Sequence, residues 1–148
     1  METAEWAKGD YTISTDKSKI DLDAVHGFLS GLSYWAEQIP KETVKKSIEN
    51  SLCFGIYYHE KLIGFARVIT DFATFAYLAD VFVIPSERGK GLSKWLMQVI
   101  VAHPKLQGLR RFTLATKDAH KLYSQFGFKP FSKPERWMER YTPDVYKK

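Results

Sequence analysis

Two strand-like segments with an amphipathic segment between them constrain the fold of this chain more than any other feature. Residues 74–84 (TFAYLADVFVI) form a long apolar run that ends at Pro85, and residues 110–115 (RRFTLA) form a shorter one. Between them, one set of residues recurs at helical spacing: Leu92, Trp95, Leu96, Val99, Ile100 and His103. A strand, a helix and a second strand in this order predict a parallel pair with a right-handed crossover.

The residues before this unit predict three strands and two helices. Strand-forming residues occupy 11–15, 52–58 and 62–69, and a short polar turn joins the last two segments into a hairpin. One helix is capped by Asp21 or Asp23, and its apolar side carries Leu22, Val25, Leu29 and Leu32. A second helix begins at Pro40, with Val44 and Ile48 on its apolar side.

The C-terminal residues add a helix and a strand. Residues 118–126 form an amphipathic segment that Gly127 terminates, and residues 128–131 begin a last strand. The order βααβββαβαβ predicts an α/β fold (α+β, with a mixed sheet). No Gly/Ser/Pro-rich linker divides the chain, so residues 1–148 are predicted to form a single domain.

Composition excludes several classes of protein. The chain has 148 residues, 45% of them hydrophobic, which suffices for one core. The longest apolar runs, 75–79 and 81–84, fall far short of the roughly 20 residues that a membrane helix needs. The N-terminus has no apolar signal-peptide core. The single cysteine, Cys53, excludes an internal disulfide and a cysteine-based zinc site. We expect a core role for Cys53, a cytoplasmic location and no metal.

Charge is distributed unevenly along the chain. Residues 86–148 carry 14 Lys/Arg against 5 Asp/Glu, whereas residues 1–85 carry 8 against 12, and the total is +5. A basic C-terminal half suits a nucleic acid, a phosphorylated cofactor or an acidic membrane, although the lysines also serve solubility alone. The basic residues form no run of five or more, so a nucleic-acid-binding tail is not indicated.

The loop after the long strand carries the strongest chemical signal. Residues 81–93 (VFVIPSERGKGLS) run from a strand through two glycines into a helix. The first N–H groups of a helix and its dipole attract anions, and Arg88 and Lys90 add full positive charges. The glycine spacing matches neither a Walker loop nor a dinucleotide fingerprint. The segment is therefore a candidate diphosphate site, and its alternative interpretation is an ordinary loop before a core helix.

Two motifs in this order resemble those of the GNAT acetyltransferases. Arg88-x-x-Gly91-x-Ser93 is similar to the signature Arg/Gln-x-x-Gly-x-Gly/Ala, with Ser93 as a departure. Residues 119–128 (AHKLYSQFGF) are similar to the later motif Ala-x-x-Leu-Tyr-x-x-x-Gly-Phe. Residues 75–84 resemble the central strand of the family. The match in motifs covers residues 75–131.

The resemblance implies an acetyl-CoA-dependent N-acetyltransferase with a central mixed sheet flanked by helices. In the family the loop cradles the pyrophosphate of acetyl-CoA, which implies cofactor contacts at Arg88, Gly89, Lys90, Gly91, Leu92 and Ser93. The preceding strand pairs its backbone with the pantetheine arm, which implies Val81, Phe82 and Val83. Thr116 stands where many members have an asparagine, seven residues before the tyrosine, and is a further candidate contact.

Two residues are candidates for proton transfer. The resemblance implies that Tyr123 is the general acid that protonates the leaving sulfur, since a phenol is protonated at neutral pH. The alternative for Tyr123 is a core aromatic. Asp80 is the candidate base because it is the only acid inside the apolar strand that enters the loop. The alternative for Asp80 is a partner for a basic residue or for the backbone.

The acceptor is less defined than the cofactor. In this family the connection between the first two helices overhangs the acceptor, which implies contacts at Tyr34, Trp35 and Glu37. A small-molecule or protein amine remains open, and the acidic N-terminal half slightly favours a cationic one. Alternative functions are a non-catalytic CoA-binding module and an acetyltransferase for a nucleic-acid-linked amine. The tail (132–140) is a candidate to cap the sheet, to close the acceptor pocket or to contact a second subunit in a homodimer.

Overall fold

The computed structural model describes residues 2–148 and contains one six-stranded mixed sheet. The elements are β1 (Glu5–Lys8), β2 (Tyr11–Ser14), α1 (Leu22–Gly31), α2 (Lys41–Glu49), β3 (Leu52–Tyr58), β4 (Lys61–Thr70), β5 (Phe75–Val83), α3 (Leu92–Ala102), β6 (Arg111–Leu114) and α4 (His120–Ser124). The strands follow chain order across the sheet. Pairing is antiparallel from β1 to β5 and parallel between β5 and β6. The predicted fold class and the predicted parallel pair are confirmed.

Alternate strand residues build two separate cores because successive side chains point to opposite faces of a sheet. Cys53, Phe65 and Phe82 belong to the core under α1 and α2, where Phe82 stacks on Phe28 with ring centroids 4.0 Å apart. Phe54 and most of the buried side of α3 belong to the other core. Burial raises the pKa of the Cys53 thiol to about 11, and its predicted core role is confirmed.

A bulge in β5 separates two stretches of regular pairing. Phe65 of β4 lies opposite Phe82, but Arg67 lies opposite Ala79, so β5 has one extra residue over this interval. Asp80 adopts a φ of +55° there. An extra residue bends a strand and re-aims its side chains. The bulge therefore turns Asp80 toward neighbours that a regular strand would not reach.

Beyond the bulge the sheet opens into a cleft. Pairing between β5 and β6 ends at Leu78 and Leu114, whereas β5 continues to Val83. The last residues of β5 pair on one side with β4 but have no strand on the side of β6. The two parallel strands thus leave an unfilled strand position where β5 approaches residues 84–93, the glycine loop.

Two expected features differ in the structure, and one strand, β1, was not expected. β1 was not predicted, although the dipeptide Gly9-Asp10 ahead of Tyr11 is a two-residue hairpin signal. The strand predicted at residues 128–131 does not form, because Pro130 has no N–H to donate and restricts the residue before it. The last helix covers only His120–Ser124 rather than residues 118–126.

The helix starts and buried faces follow the sequence more closely. Asp21, rather than Asp23, caps α1 by accepting a hydrogen bond from the Ala24 N–H at 3.1 Å. Val44 and Ile48 of α2 are buried as predicted. Leu32 is not on the buried face of α1, because the helix has ended and the side chain is 68% exposed.

Candidate active site

The glycine loop leads into α3, and the first turn of α3 has no side-chain cap. Gly89 and Gly91 have φ values of +80° and +76°, and a Cβ atom at either position would meet nothing within 4 Å. Gly91 is the N-cap of α3 and no side chain caps the first turn, so the first N–H groups of α3 lack a side-chain acceptor. A depression of about 240 Å³ lies here, lined by the loop and by Leu122 of α4.

The side chains of the loop differ in what they offer to a ligand. Ser93 lines the depression, whereas the Leu92 side chain is buried and leaves only its backbone available. The Arg88 guanidinium donates from Nε to the Val83 carbonyl at 2.9 Å. This bond ties the loop to the end of β5. In the lining of the depression, Arg88, Gly89 and Gly91 are exposed and Ser93 is half-buried.

Lys90 is held away from the depression by two residues that the sequence analysis missed. Its Nζ donates to Glu87 Oε1 at 2.9 Å, and the Tyr11 hydroxyl donates to the same oxygen at 2.7 Å. Hydrogen bonds from Tyr11 and Lys90 lower the pKa of Glu87 below its usual value. Tyr11 belongs to β2, so this contact joins the far side of the sheet to the loop. No local sequence signal pairs residues so far apart in the chain.

At the end of β5, the backbone rather than the side chains is available to a ligand. Phe82 and Val83 are buried, and Val81 is half-buried. Because β6 pairs only as far as Leu114, the backbone of these three residues borders the unfilled strand position. An extended ligand can be accommodated there as an added strand.

Tyr123 belongs to α4 and is 8% exposed. The pKa of Tyr123 is raised to about 12, mainly by burial and to a smaller extent by the nearby Tyr34 and Asp118. The phenol therefore keeps its proton throughout the neutral range. Thr116, the other candidate from this part of the chain, accepts a hydrogen bond from the Ala119 N–H at 3.0 Å. Its hydroxyl is thus already used near the start of α4.

The connection between α1 and α2 is fixed across the ends of β5 and β6. The Trp35 indole donates from Nε1 to Asp80 Oδ1 at 2.8 Å. The Tyr34 hydroxyl accepts from the Lys117 N–H at 3.0 Å, and the two aromatic rings meet edge to face. Tyr34 and Trp35 remain 52% and 41% exposed. Glu37 is exposed on the same connection.

Asp80 forms an ion pair with a residue that the sequence analysis overlooked. Arg67 of β4 donates from Nε to Asp80 Oδ2 at 2.8 Å, and the two side chains are only 15% and 11% exposed. Arg67 also donates from Nη1 to Ser51 Oγ at 3.1 Å. The sequence did carry a signal, since Arg67 is the only charged residue between Leu62 and Ile69. Asp80 was identified by the same feature, a single charged residue within an apolar strand.

A larger cavity of about 840 Å³ lies along the outer edge of β6. Its walls come from β6, from α4 and from the residues after α4, and Thr116 and Tyr123 stand at the end of β6. Arg110, Arg111 and Lys129 also line it. The candidate acid therefore borders this cavity.

The described residues, 2–148, contain no candidate metal site and no membrane-spanning helix. No group of three or more His, Cys, Asp or Glu side chains is arranged to hold a metal ion. None of the helices between residues 2 and 148 has the length and apolar character needed to span a bilayer.

Comparison with known proteins gives a consistent result. The model of the acetyltransferase (GNAT) family matches residues 22–128. A protein from Gibberella zeae that is named an acetyltransferase is 32% identical, and the match covers 81% of this chain and 79% of that protein. A crystal structure of a GNAT-family protein from Xanthomonas campestris has a TM-score of 0.92 and 51% identity, covering 93% of this chain and 97% of the other.

A more distant structure shows the fold alone. It is an acetyltransferase from Clostridium acetobutylicum with acetyl-CoA, and it has a TM-score of 0.60 and 13% identity. The match covers 95% of this chain and 95% of that one. The arrangement of sheet and helices is therefore shared well beyond recognisable sequence similarity.

Proposed function

This chain belongs to the acetyltransferase (GNAT) family, and from that premise we propose that it transfers the acetyl group of acetyl-CoA to a primary amine. The family uses acetyl-CoA and acts on amine acceptors in general, and the chain is an acyltransferase. We further propose that residues 1–148 act as one domain and work in the cytoplasm, a reducing compartment that suits the single cysteine.

The glycine loop carries this proposal. Its open first turn of α3, its two glycines with positive φ and its depression of about 240 Å³ suit a diphosphate. Arg88, Gly89, Lys90, Gly91, Leu92 and Ser93 are the proposed contacts, with Leu92 acting through its backbone. Lys90 is proposed to act through its backbone N–H, because its ammonium group is paired with Glu87.

The cleft supports the proposed path of the pantetheine arm. The backbone of Val81, Phe82 and Val83 borders the unfilled strand position, and a pantetheine amide could pair with it like a short strand. Thr116 is proposed to contact the same arm beyond the end of β6. The distant Clostridium acetobutylicum protein, which has the same fold with acetyl-CoA, is consistent with this assignment.

The proposed reaction is a direct transfer within a ternary complex. The amine attacks the acetyl carbonyl carbon, the bond from carbon to sulfur breaks, and Tyr123 donates its proton to the leaving sulfur. A cysteine intermediate is not proposed, because Cys53 is buried in the core under α1 and α2 whereas Tyr123 belongs to the other core. Acetyl transfer then takes place in a single chemical step, with acetyl-CoA and the amine bound together.

We propose that Asp80 accepts the proton that the amine loses. Each of its carboxylate oxygens already accepts one hydrogen bond, from Trp35 or from Arg67. A carboxylate oxygen has a second lone pair, so a water molecule can relay the proton to Asp80. Tyr34, Trp35 and Glu37 are proposed to line the acceptor side, where Tyr34 is close enough to Tyr123 to affect its pKa.

The variant Tyr123→Phe tests this function. It removes the proton donor and retains the ring, so we expect kcat to fall about a hundredfold while the Kd for acetyl-CoA stays within about twofold of the wild-type value. Tyr57→Phe is a matched control, because the Tyr57 hydroxyl is also buried, has no hydrogen-bond partner among residues 2–148 and has a pKa that burial raises to about 12. Equal losses in the two variants would show that Tyr123 is structural.

A further inference from the structure

Part of the sheet face that carries α1 and α2 is not covered by these helices. Side chains alternate between the two faces of a sheet along each strand, and Val68 of β4 and Ala76 of β5 belong to the core that includes α3. Ile69 and Tyr77 lie opposite each other in the pairing of β4 with β5. Together with Phe75, they therefore project from the face that carries α1 and α2.

Ile69, Phe75 and Tyr77 form a surface that we call the apolar floor. Ile69 is 42% exposed, Phe75 is 37% exposed and Tyr77 is half-buried. Phe65 and Phe82 project from the same face but are buried in the core under α1 and α2. Contiguous large apolar side chains that remain open to solvent are typical of a binding site.

The apolar floor begins next to the proposed base. Arg67, the ion-pair partner of Asp80, lies two residues before Ile69 on the same strand and the same face. Alternate residues of a strand are about 7 Å apart. The pKa of Tyr77 is raised, mainly by burial and to a smaller extent by the Asp80 carboxylate and Tyr34. A small amine is therefore long enough to extend from the floor to Asp80.

Tyr34 is close to both the floor and the proposed acid. It contributes to the raised pKa of Tyr77 and to that of Tyr123. The hydrogen bond that its hydroxyl accepts from the Lys117 N–H holds it in place. The next residue, Trp35, is held by Asp80. The connection between α1 and α2 thus forms a wall beside the floor at the end where the chemistry is proposed.

We propose that the apolar floor binds the body of the acceptor, and that the acceptor is a primary amine with an uncharged apolar body about as large as a phenyl ring. The proposal rests on the proposed acetyl transfer and specifies its substrate class. The body would lie on Ile69, Phe75 and Tyr77, with the amine directed toward Asp80. A flat surface of strand side chains suits a planar hydrocarbon, and burial of that hydrocarbon supplies the affinity.

The charges around the floor suit an acceptor with one positive charge. Glu37, on the connection between α1 and α2, is exposed and forms no ion pair within residues 2–148, so it is available to attract an ammonium group. Two cations border the site: Lys117 lies over the Tyr34 ring, and Arg111 lies opposite Phe75. They would repel a second ammonium group on the body of the acceptor. A monoamine therefore fits better than a diamine.

Three amines that share an aminoethyl group test the proposal. 2-Phenylethylamine carries an apolar body, ethanolamine a neutral polar one and O-phosphoethanolamine an anionic one. Calorimetry with the CoA-saturated protein measures the binding of each. Burial of a whole phenyl side chain corresponds to about tenfold to a hundredfold in affinity. We expect 2-phenylethylamine to bind at least tenfold more tightly than ethanolamine and than O-phosphoethanolamine.

Variants of the floor locate the binding. Ile69→Thr and Tyr77→Thr retain strand-forming residues and should each weaken 2-phenylethylamine about fivefold without changing the Kd for acetyl-CoA, whereas Tyr77→Phe, which keeps the ring, should bind it as the wild type does. In turnover, the two threonine variants should raise the KM for 2-phenylethylamine and leave kcat nearly unchanged. Tyr58→Thr is the matched control, since Tyr58 is 39% exposed and lies at the other end of β4, opposite Lys61; it should change none of these values.

Three results would overturn the proposal. They are equal or undetectable binding of 2-phenylethylamine and ethanolamine, tightest binding of O-phosphoethanolamine, and wild-type affinity for 2-phenylethylamine in Ile69→Thr and Tyr77→Thr. If one of these two variants fails to fold, the other decides the last result. Failure of the proposed acetyl transfer is distinguishable, because it would appear as loss of acetyl-CoA binding, or of turnover with every amine, in the wild-type protein.

Discussion

The substitution Gly91→Glu separates a cofactor role of the glycine loop from a purely structural one. Gly91 has a φ of +76°, and a Cβ atom there would contact nothing within 4 Å. The added side chain therefore costs folding energy only through the left-handed backbone, about 1–2 kcal/mol. For a chain of this size that loss lowers Tm by about 3–6 °C. The variant should fold.

The effect on cofactor binding is expected to be much larger. A carboxylate at the start of α3 would stand beside the diphosphate, and two unit charges 4 Å apart repel by about 4 kcal/mol at an effective dielectric constant of 20. That value corresponds to about a thousandfold weaker binding, and half of it to about thirtyfold. Gly91→Ala introduces the strain without the charge, so its affinity should fall only a few-fold.

Calorimetric titration with acetyl-CoA measures this difference, with thermal unfolding alongside. Gly108→Glu is the matched control, since Gly108 has a φ of +74°, an equally open Cβ position and no part in lining the depression. We expect Gly108→Glu to lose the same stability as Gly91→Glu and to bind acetyl-CoA as the wild type does. Unchanged affinity in Gly91→Glu, or equal losses in both glutamate variants, would refute the reasoning.

Two further predictions concern Asp80 and His103. Asp80→Asn should lower kcat at least tenfold if Asp80 accepts the amine proton. Trp35→Phe removes only the N–H that donates to Asp80, so it should raise the acceptor KM a few-fold and leave kcat nearly unchanged. Identical kinetics in the two variants would show that Asp80 only positions Trp35. Burial lowers the pKa of His103, whose Nδ1 accepts from the Lys105 N–H at 3.0 Å, so the unfolded chain binds the proton more readily and stability should fall as pH drops through about 6.5. Thermal unfolding at pH 7.5 and 5.5 measures this loss of stability, and the loss should be smaller in His103→Asn. A loss of the same size in the variant would show that His103 is not its cause.

The fold was predictable wherever local patterns determine structure. The helical spacing from Leu92 to Ile100, the stop at Pro85 and the cap at Asp21 each follow from neighbouring residues, and each appears in the structure. The strand expected at residues 128–131 does not form, because Pro130 interrupts this run of aromatic residues. β1 was missed because its four residues include only one large apolar side chain, Trp6.

Short-range features of the candidate site were predictable from the sequence, whereas its long-range contacts were not. Glycine positions with positive φ and the buried Tyr123 follow from residues close together in the chain. The partners of Asp80 and of Lys90 do not, because Trp35 lies 45 residues before Asp80 and Tyr11 lies 79 residues before Lys90. Such contacts arise only after the sheet has formed. The bulge at Asp80, which aims its side chain at Arg67 and Trp35, has no local signal in the sequence.

Initial rates of CoA thiol release, measured against both acetyl-CoA and an amine, test the central claim most directly. Direct transfer in a ternary complex predicts release that requires the amine, saturates with each substrate and gives intersecting double-reciprocal lines. Parallel lines would indicate a covalent acetyl-enzyme. Release independent of the amine, or tight binding of acetyl-CoA with no release for any amine tested, would contradict the assignment of this chain as an amine acetyltransferase.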